Sequence, residues 1–246
     1  MGLDNYTDLF RGDSIAASSF WQAMGATAQF TIYSVPFLLS VPLLVALILN
    51  QDYLGRTFFR AVYFAPFVLG IAVVGVLWRY LFSANVGLVN YYLGMLGLPD
   101  NTAWLSSLPW AWVALVAVTV WWTLGFNAVI YLAGLQDIPQ DLYDAAMLDG
   151  ANQWHKFRDV TLPGLRPVLW FVVNITILAS ANMFGQSYVM TMGAPSNETR
   201  TAIMYITDRG LRTFDMGGAA AMSYVLTLAL ILISVVNFAI FRRMEN

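Results

Sequence analysis

The chain has no cysteine and a single histidine, His155. The first absence excludes a disulfide framework, a thiolate metal site and a cysteine nucleophile. The second leaves no histidine pair to hold a metal, and a lone histidine in a polar segment is ordinarily a solvated side chain. Charge is scarce as well. Only 11% of the 246 residues are Asp, Glu, Lys or Arg, against roughly a quarter in a soluble domain. So few charges cannot cover a water-facing surface. With 59% hydrophobic residues and a mean hydropathy of +0.64, the composition reads as an integral membrane protein. A net charge of -2 gives no footprint for nucleic acid. The sequence contains no Gly-x-x-x-x-Gly-Lys-Ser/Thr phosphate loop, so any ATP hydrolysis by that route must occur on another chain.

What is present is a set of long apolar runs. A spanning helix needs about 20 mostly apolar residues, and five stretches qualify: 24–49, 58–82, 108–135, 167–190 and 217–241. Pro36 and Pro42 lie inside the first and predict a kink. The expected fold class is an all-α polytopic membrane protein. Tyr91, Tyr92 and Trp104 in the semi-apolar stretch 84–107 suit an interfacial element, and Trp110, Trp112, Trp121 and Trp122 suit anchoring and packing in the third span.

Charge sets the orientation. Arg56 and Arg60 follow the first span, Lys156, Arg158 and Arg166 follow the third, and Arg242 and Arg243 follow the fifth. These are seven of the twelve cations, and they place their segments in the cytoplasm. Residues 83–107 carry no cation; residues 191–216 carry Arg200, Arg209 and Arg212, offset by Glu198, Asp208 and Asp215. Five spans with an internal C-terminus put the N-terminus outside, where Asp4, Asp8 and Asp13 against Arg11 fit. The expectation is therefore a further N-terminal span upstream, a sixth, in the natural chain.

Between the third and fourth spans lies the most polar long stretch, LYDAAMLDGANQWHKFRDVTLPGLRP, within the block 137–166. Asp137 and Pro139 have the form of a helix start, Gly150 that of a left-handed stop, and Pro163 that of a second end. The pattern predicts helix, sharp turn, helix, with Trp154, Phe157 and Val160 spaced by three in the second arm. On the first arm Leu142, Ala145, Ala146 and Asp149 share one face. The two alanines give that face a low profile into which a partner could pack, flanked by Asp144 and Asp149. Physical reading alone leaves two alternatives open: a docking surface for a cytosolic protein, or an amphipathic loop lying on the membrane.

The spacing of this block carries a resemblance. DAAMLDGANQWHKFRDVTLP resembles the EAA motif of ABC importer permeases, of the form EAAxxDGAxxxxxFxxxxLP. Asp144, Ala145, Ala146, Asp149, Gly150, Ala151, Phe157, Leu162 and Pro163 occupy its positions, with Asp144 in place of the usual Glu, one methylene shorter. GLDNYTDLF (from Gly2), FRAVYFAPFVLGIAVVGVLWRYLFSANVGLVN and YVMTMGAPSNET are similar to stretches of the carbohydrate group, the maltose and glycerol-phosphate type, although Ala194 stands where that group more often has Gly. The resemblance covers nearly the whole chain. It implies a type I ABC importer transmembrane fold, with 1–246 a single permease domain and 137–166 its coupling-helix loop. It implies a second homologous permease subunit, two cytosolic ATPase subunits that bind ATP and Mg, and an extracytoplasmic solute-binding protein. No cofactor is implied on this chain. The membrane would be the inner (plasma) membrane of a bacterium or archaeon.

Polar residues inside apolar spans are costly and often functional. Asn127, Asn174, Asn182, Gln186 and Tyr188 are the candidates for a substrate path; Asn182 and Gln186, four apart, are expected on one helical face. Amides and an aromatic suit a polyhydroxylated solute, or else the amides bridge helices. Two other classes compete. A membrane-embedded enzyme would need a catalytic constellation, for which Asp141, Asp144 and Asp149 are the nearest residues. An ion-driven secondary transporter would favour ionised groups buried in its spans, where this chain has Arg79, near an end.

Overall fold

In a computed structural model, residues 3–11, 14–52 and 54–245 are described, with the backbone alone for 243–245. Gly2, Asp13 and the side chain of Arg243, used above, lie outside the described residues. The described residues are helical with no strand: α1 (Asp4–Arg11), α2 (Ile15–Leu49), α3 (Arg56–Val68), α4 (Ile71–Leu81), α5 (Leu88–Met95), α6 (Trp110–Gln136), α7 (Gln140–Leu148), α8 (Gln153–Lys156), α9 (Leu162–Gly164), α10 (Arg166–Ala181), α11 (Ala202–Thr207) and α12 (Met216–Glu245). Wider π-helical turns occupy Phe157–Thr161, Ser187–Thr191 and Asp208–Arg212.

Three helices, α2, α6 and α12, are long and apolar enough to cross a bilayer. Two bent pairs bring the number to five if each pair counts as one span. One pair breaks at Leu69 and Gly70, both in extended backbone. The other bends by 66° between Gln153–Gly164 and Arg166–Ala181. The first, third and fifth apolar stretches are thus recovered as single helices, whereas 58–82 breaks at Leu69 and Gly70 and the helix of the fourth, expected to run to 190, ends at Ala181.

The first span also starts earlier than apolarity alone suggests, at Ile15 and not at 24. Its extra turns are held by packing: Ala17, Phe20 and Ala23 are buried with Leu9, Tyr205 and Met222, and Ser14 Oγ accepts the Ala17 N–H at 3.1 Å. At 35 residues and 1.5 Å per residue α2 is about 50 Å long, well beyond the ~30 Å hydrocarbon core, so one end must leave it.

The chain forms two discontinuous compact units. One comprises residues 1–34, 70–119 and 177–246; the other comprises 35–69 and 120–176. In the first unit, hydroxyls tie distant segments together. Thr27 Oγ1 accepts the Ala202 N–H (2.8 Å), Thr201 Oγ1 donates to the Met183 carbonyl (2.7 Å), and Tyr205 Oη donates to the Ala16 carbonyl (3.1 Å). Glycines permit close approach: a Cβ on Gly75 would fall 2.7 Å from Val189 Cγ1, and one on Gly185 would fall 2.8 Å from Ile71. The tryptophans of α6 join separate aromatic groups. Trp112 contacts Phe30 and Tyr33, while Trp110 meets Trp104, which also contacts Phe82.

The second unit is built around Ala46, Ala128, Tyr131, Leu132, Leu135, Leu165 and Val172, all buried. Gly125 lets α6 approach the backbone of Tyr63 and Phe64, where a Cβ would lie 2.4 Å from a carbonyl oxygen. Phe67 stacks on Phe126 at 4.8 Å, and Trp122 Nε1 donates to the Leu69 carbonyl at the end of α3 (3.0 Å). Gly134 sits against Leu165 and Val168. These contacts fix the base from which the polar block 137–166 projects.

Candidate functional site

The polar block is a helical hairpin. Its first arm, α7, starts at Gln140; the residue before it, Pro139, supplies no side-chain cap, and Asp137 is not the cap that its residue type suggests. The reason is that α6 runs on to Gln136, so Asp137 N–H still bonds to Ala133 O and only a tight turn separates the helices. The stop is as expected. Gly150 has φ +76°, its N–H bonds to Met147 O (3.0 Å), and Ala151 N–H reaches back to Ala146 O (2.9 Å). These are the two bonds of a Schellman cap, which needs a left-handed residue at Gly150. The second arm starts at Asn152, whose Oδ1 accepts the His155 N–H at 2.9 Å.

Pro163 does not end the second arm. The ladder widens first into the π-turn Phe157–Thr161, in which Leu162 N–H bonds to Phe157 O, and the helix then carries Pro163 in its next turn. A proline lacks the N–H that would bond four residues back, so the shift to wider pairing one turn earlier accommodates it. The chain bends only after Gly164, where a Cβ would come 2.9 Å from Ile138 Cδ1.

The motif face points outward. Asp144, Ala145, Asp149 and Gly150 are exposed, and Ala146 and Ala151 are half-buried. Leu148 is 90% exposed at the tip and Trp154 63% exposed on the second arm, its ring 5.8 Å from that of Phe157. Asp144 takes a long 3.4 Å bond from the Gln140 amide of its own helix. Arg158 pairs with Asp159 at 2.7 Å; that bond holds the exposed Asp159 carboxyl below its usual range and pushes the guanidinium up. Leu162 and Pro163 lie on the exposed rim. Exposed apolar side chains beside small residues and an exposed aspartate make a surface that a partner protein can cover.

The expected path residues fall into two groups. In the unit 35–69 with 120–176, Asn127 is 5% exposed and donates to the Leu38 carbonyl at 3.1 Å. That carbonyl is the one Pro42 leaves without a helical donor, so Asn127 repairs the proline gap in α2. Asn174 donates within its own helix to Trp170 O (2.9 Å).

In the unit 1–34 with 70–119 and 177–246, Asn182 and Gln186 do not share a helical face. The helix α10 stops at Ala181, where a tight turn brings Met183 N–H to Ser180 O. Asn182 is left exposed, donating to Leu178 O (2.7 Å), while Gln186 is buried and donates to Thr119 Oγ1 (3.3 Å). Tyr188 is partly exposed; its ring stacks on Phe184 at 5.1 Å, and its hydroxyl accepts from Arg212 at 2.8 Å. Arg212 also meets Asp208, which Arg200 holds at 2.6 Å, and Arg209 pairs with Asp215 at 2.6 Å. The Gly218 N–H, with Arg209, keeps the Asp215 carboxyl below the usual range.

Sequence reasoning missed the Arg212–Tyr188 contact and one more, inside the hairpin: Tyr143 Oη lies 3.0 Å from Thr161 Oγ1. Spacing along one helix finds neither, because each joins residues 18 or more apart.

Helices long and apolar enough to cross a bilayer, with an exposed small-residue hairpin between them, define a membrane protein that offers a surface to a partner. The chain belongs to the family of binding-protein-dependent transport system inner membrane components, which it matches over residues 14–246. It is a permease subunit of ABC importer type, a transport component and not an enzyme, with the type I importer fold. Membership implies an ATPase and a binding protein as partners. Over 241 residues it is 34% identical to the arabinooligosaccharides transport system permease protein AraP of Bacillus subtilis, covering 96% of this chain and 74% of that one. Over 233 residues it is 35% identical to the trehalose/maltose transport system permease protein MalF of Thermococcus litoralis, covering 94% and 76%. A crystal structure of a bacterial alginate ABC transporter, in complex with alginate pentasaccharide-bound periplasmic protein, contains a chain that superposes with a TM-score of 0.85 at 25% identity, over 99% of this chain and 84% of that one.

Proposed function

We propose that this chain forms half of the translocation path for a sugar or sugar-like solute (a disaccharide, amino-sugar, polyol or glycerophosphodiester) in an inner (plasma) membrane. A second homologous permease subunit supplies the other half. Two cytosolic ATPase subunits carry the ATP and Mg, and an extracytoplasmic protein delivers the solute. The permease arrangement of 1–246 couples to the ATPases through 137–166. The observation that carries this reading is the hairpin: the residues at motif spacing stand on an outward face whose angle is set by the left-handed Gly150. When the ATPases close, hairpins docked in their grooves are drawn together and the permease pair turns from inward-facing to outward-facing. Small side chains at Ala145 and Ala146 allow close docking, and Asp144 is free to pair with a basic groove residue.

The solute class rests on the named relatives, which by name transport arabinooligosaccharides and trehalose or maltose. Within the chain, Asn182 and the Phe184–Tyr188 stack offer amide and aromatic contacts suited to sugar hydroxyls and ring faces. The test is reconstitution. Affinity-tagged chain should bring down a cytosolic ATPase, and proteoliposomes should take up solute only with ATP and the binding protein. Asp144→Lys should leave the subunit in the membrane but uncouple hydrolysis from uptake. Wild-type uptake by that variant, or uptake driven by an ion gradient without ATP, contradicts the reading.

A further inference from the structure

The two arms of the hairpin are tied together by a side-chain chain of hydrogen bonds. Tyr143, half-buried on α7, places its hydroxyl 3.0 Å from Thr161 Oγ1. Thr161 is 6% exposed and donates to the Lys156 carbonyl at 3.3 Å. With its proton committed there, Thr161 accepts from Tyr143, and the order runs Tyr143 O–H to Thr161 O–H to the Lys156 carbonyl. The link therefore joins the motif-bearing helix to the last residue of the π-turn Phe157–Thr161, where the ladder is widened. Below it, Ile138 packs closely on Gly164, where a Cβ would lie 2.9 Å from Ile138 Cδ1. The hairpin is thus fastened at two levels beneath its tip, Leu148 to Ala151.

We infer that Tyr143 and Thr161 are positioning residues for energy coupling: their hydrogen bond holds the two arms at a fixed angle, so that displacement of the docked tip is transmitted to α10 and is not absorbed by the π-turn. Neither residue occupies a motif position. This inference rests on the proposed docking of the hairpin on an ATPase. A flexible hairpin would still bind the ATPase and still allow hydrolysis, but would pass on less of the motion.

The measurement is ATP hydrolysed per solute imported by the full importer in proteoliposomes. Tyr143→Phe removes one oxygen and Thr161→Val replaces a hydroxyl by a methyl; each should raise the ratio about fivefold, the size expected from one net hydrogen bond. The double variant should be no worse than either single one, and Thr161→Ser, which keeps the hydroxyl, should restore the wild-type ratio. A role in folding alone would lower the amount of importer recovered and leave the ratio unchanged, and that result overturns the inference. Gly150→Pro serves as the control. If it uncouples while Tyr143→Phe and Thr161→Val keep the wild-type ratio, the clip is wrong and the docking reading stands. If none of the three changes the ratio, both fall.

Discussion

Asp144 and Asp208 are aspartates in polar segments that each follow a membrane span, and their surroundings are opposite. Asp144 is exposed, with a 3.4 Å bond from the Gln140 amide. Asp208 is largely buried, held by Arg200 at 2.6 Å and by Arg212 at 3.2 Å. The same contrast runs through the two segments. In 137–166 the backbone forms two helical arms around the Gly150 turn while Ala145 and Leu148 near the tip are exposed. In 182–215 several polar side chains bond to one another and to carbonyls, as in the Thr191–Thr199 pair at 2.7 Å and the Thr199–Ala194 bond at 2.7 Å. The buried ion pairs and hydroxyls of 182–215 hold that segment's own structure, apart from the exposed Asn182 and Tyr188. The uncovered hairpin face is, in the proposed function, the surface that meets the ATPase.

Substitutions should separate the two kinds of segment. The largest effect is expected at Gly150→Pro. Proline fixes φ near -65° where +76° is needed and removes the N–H that bonds to Met147. Transport should fall to background in proteoliposomes while membrane insertion, read by detergent gel filtration, stays normal. Next, Asp208→Ala leaves Arg200 and Arg212 without their shared carboxylate. It should cost about 2 kcal/mol of stability, seen as a lower thermal midpoint in detergent, with the ATP-to-solute ratio unchanged. Asn127→Leu leaves the Leu38 carbonyl without its donor and should cost about 1 kcal/mol by the same assay, with no change in KM for uptake. Smallest is the contrast between two amides: Asn182→Ala should raise the uptake KM about threefold, whereas Gln186→Ala should leave KM alone and lower the midpoint slightly. If Gln186→Ala instead moves KM, the division between self-satisfied and outward-facing residues fails.

These contrasts also mark how far the sequence alone carried. The apolar runs of α2, α6 and α12 and the cap at Gly150 are local features, set by runs and backbone conformation, and were legible. The break at Leu69 and Gly70 was not, because both flanks are apolar and nothing in a hydropathy pattern marks an extended residue between them. The shared face of Asn182 and Gln186 was read from a period of 3.6 that stops at Ala181. Residue type left Asn127 as either a solute contact or a bridge between helices; its bond to the carbonyl freed by Pro42, far away in the chain, is visible only in the fold. Early helical residues of α2 were missed because a buried stripe, Ala17, Phe20 and Ala23, holds them, not overall apolarity.

The absence of cysteine makes the central claim directly testable, since a single introduced thiol is the only one on the chain. Ala146→Cys, labelled with a short photoactivatable maleimide in the assembled importer, samples the hairpin face itself. Docking predicts a cross-link to the cytosolic ATPase, localised by mass spectrometry to one groove and stronger with ATP bound. Cross-links from the introduced thiol to lipid alone, with or without ATP, would contradict it.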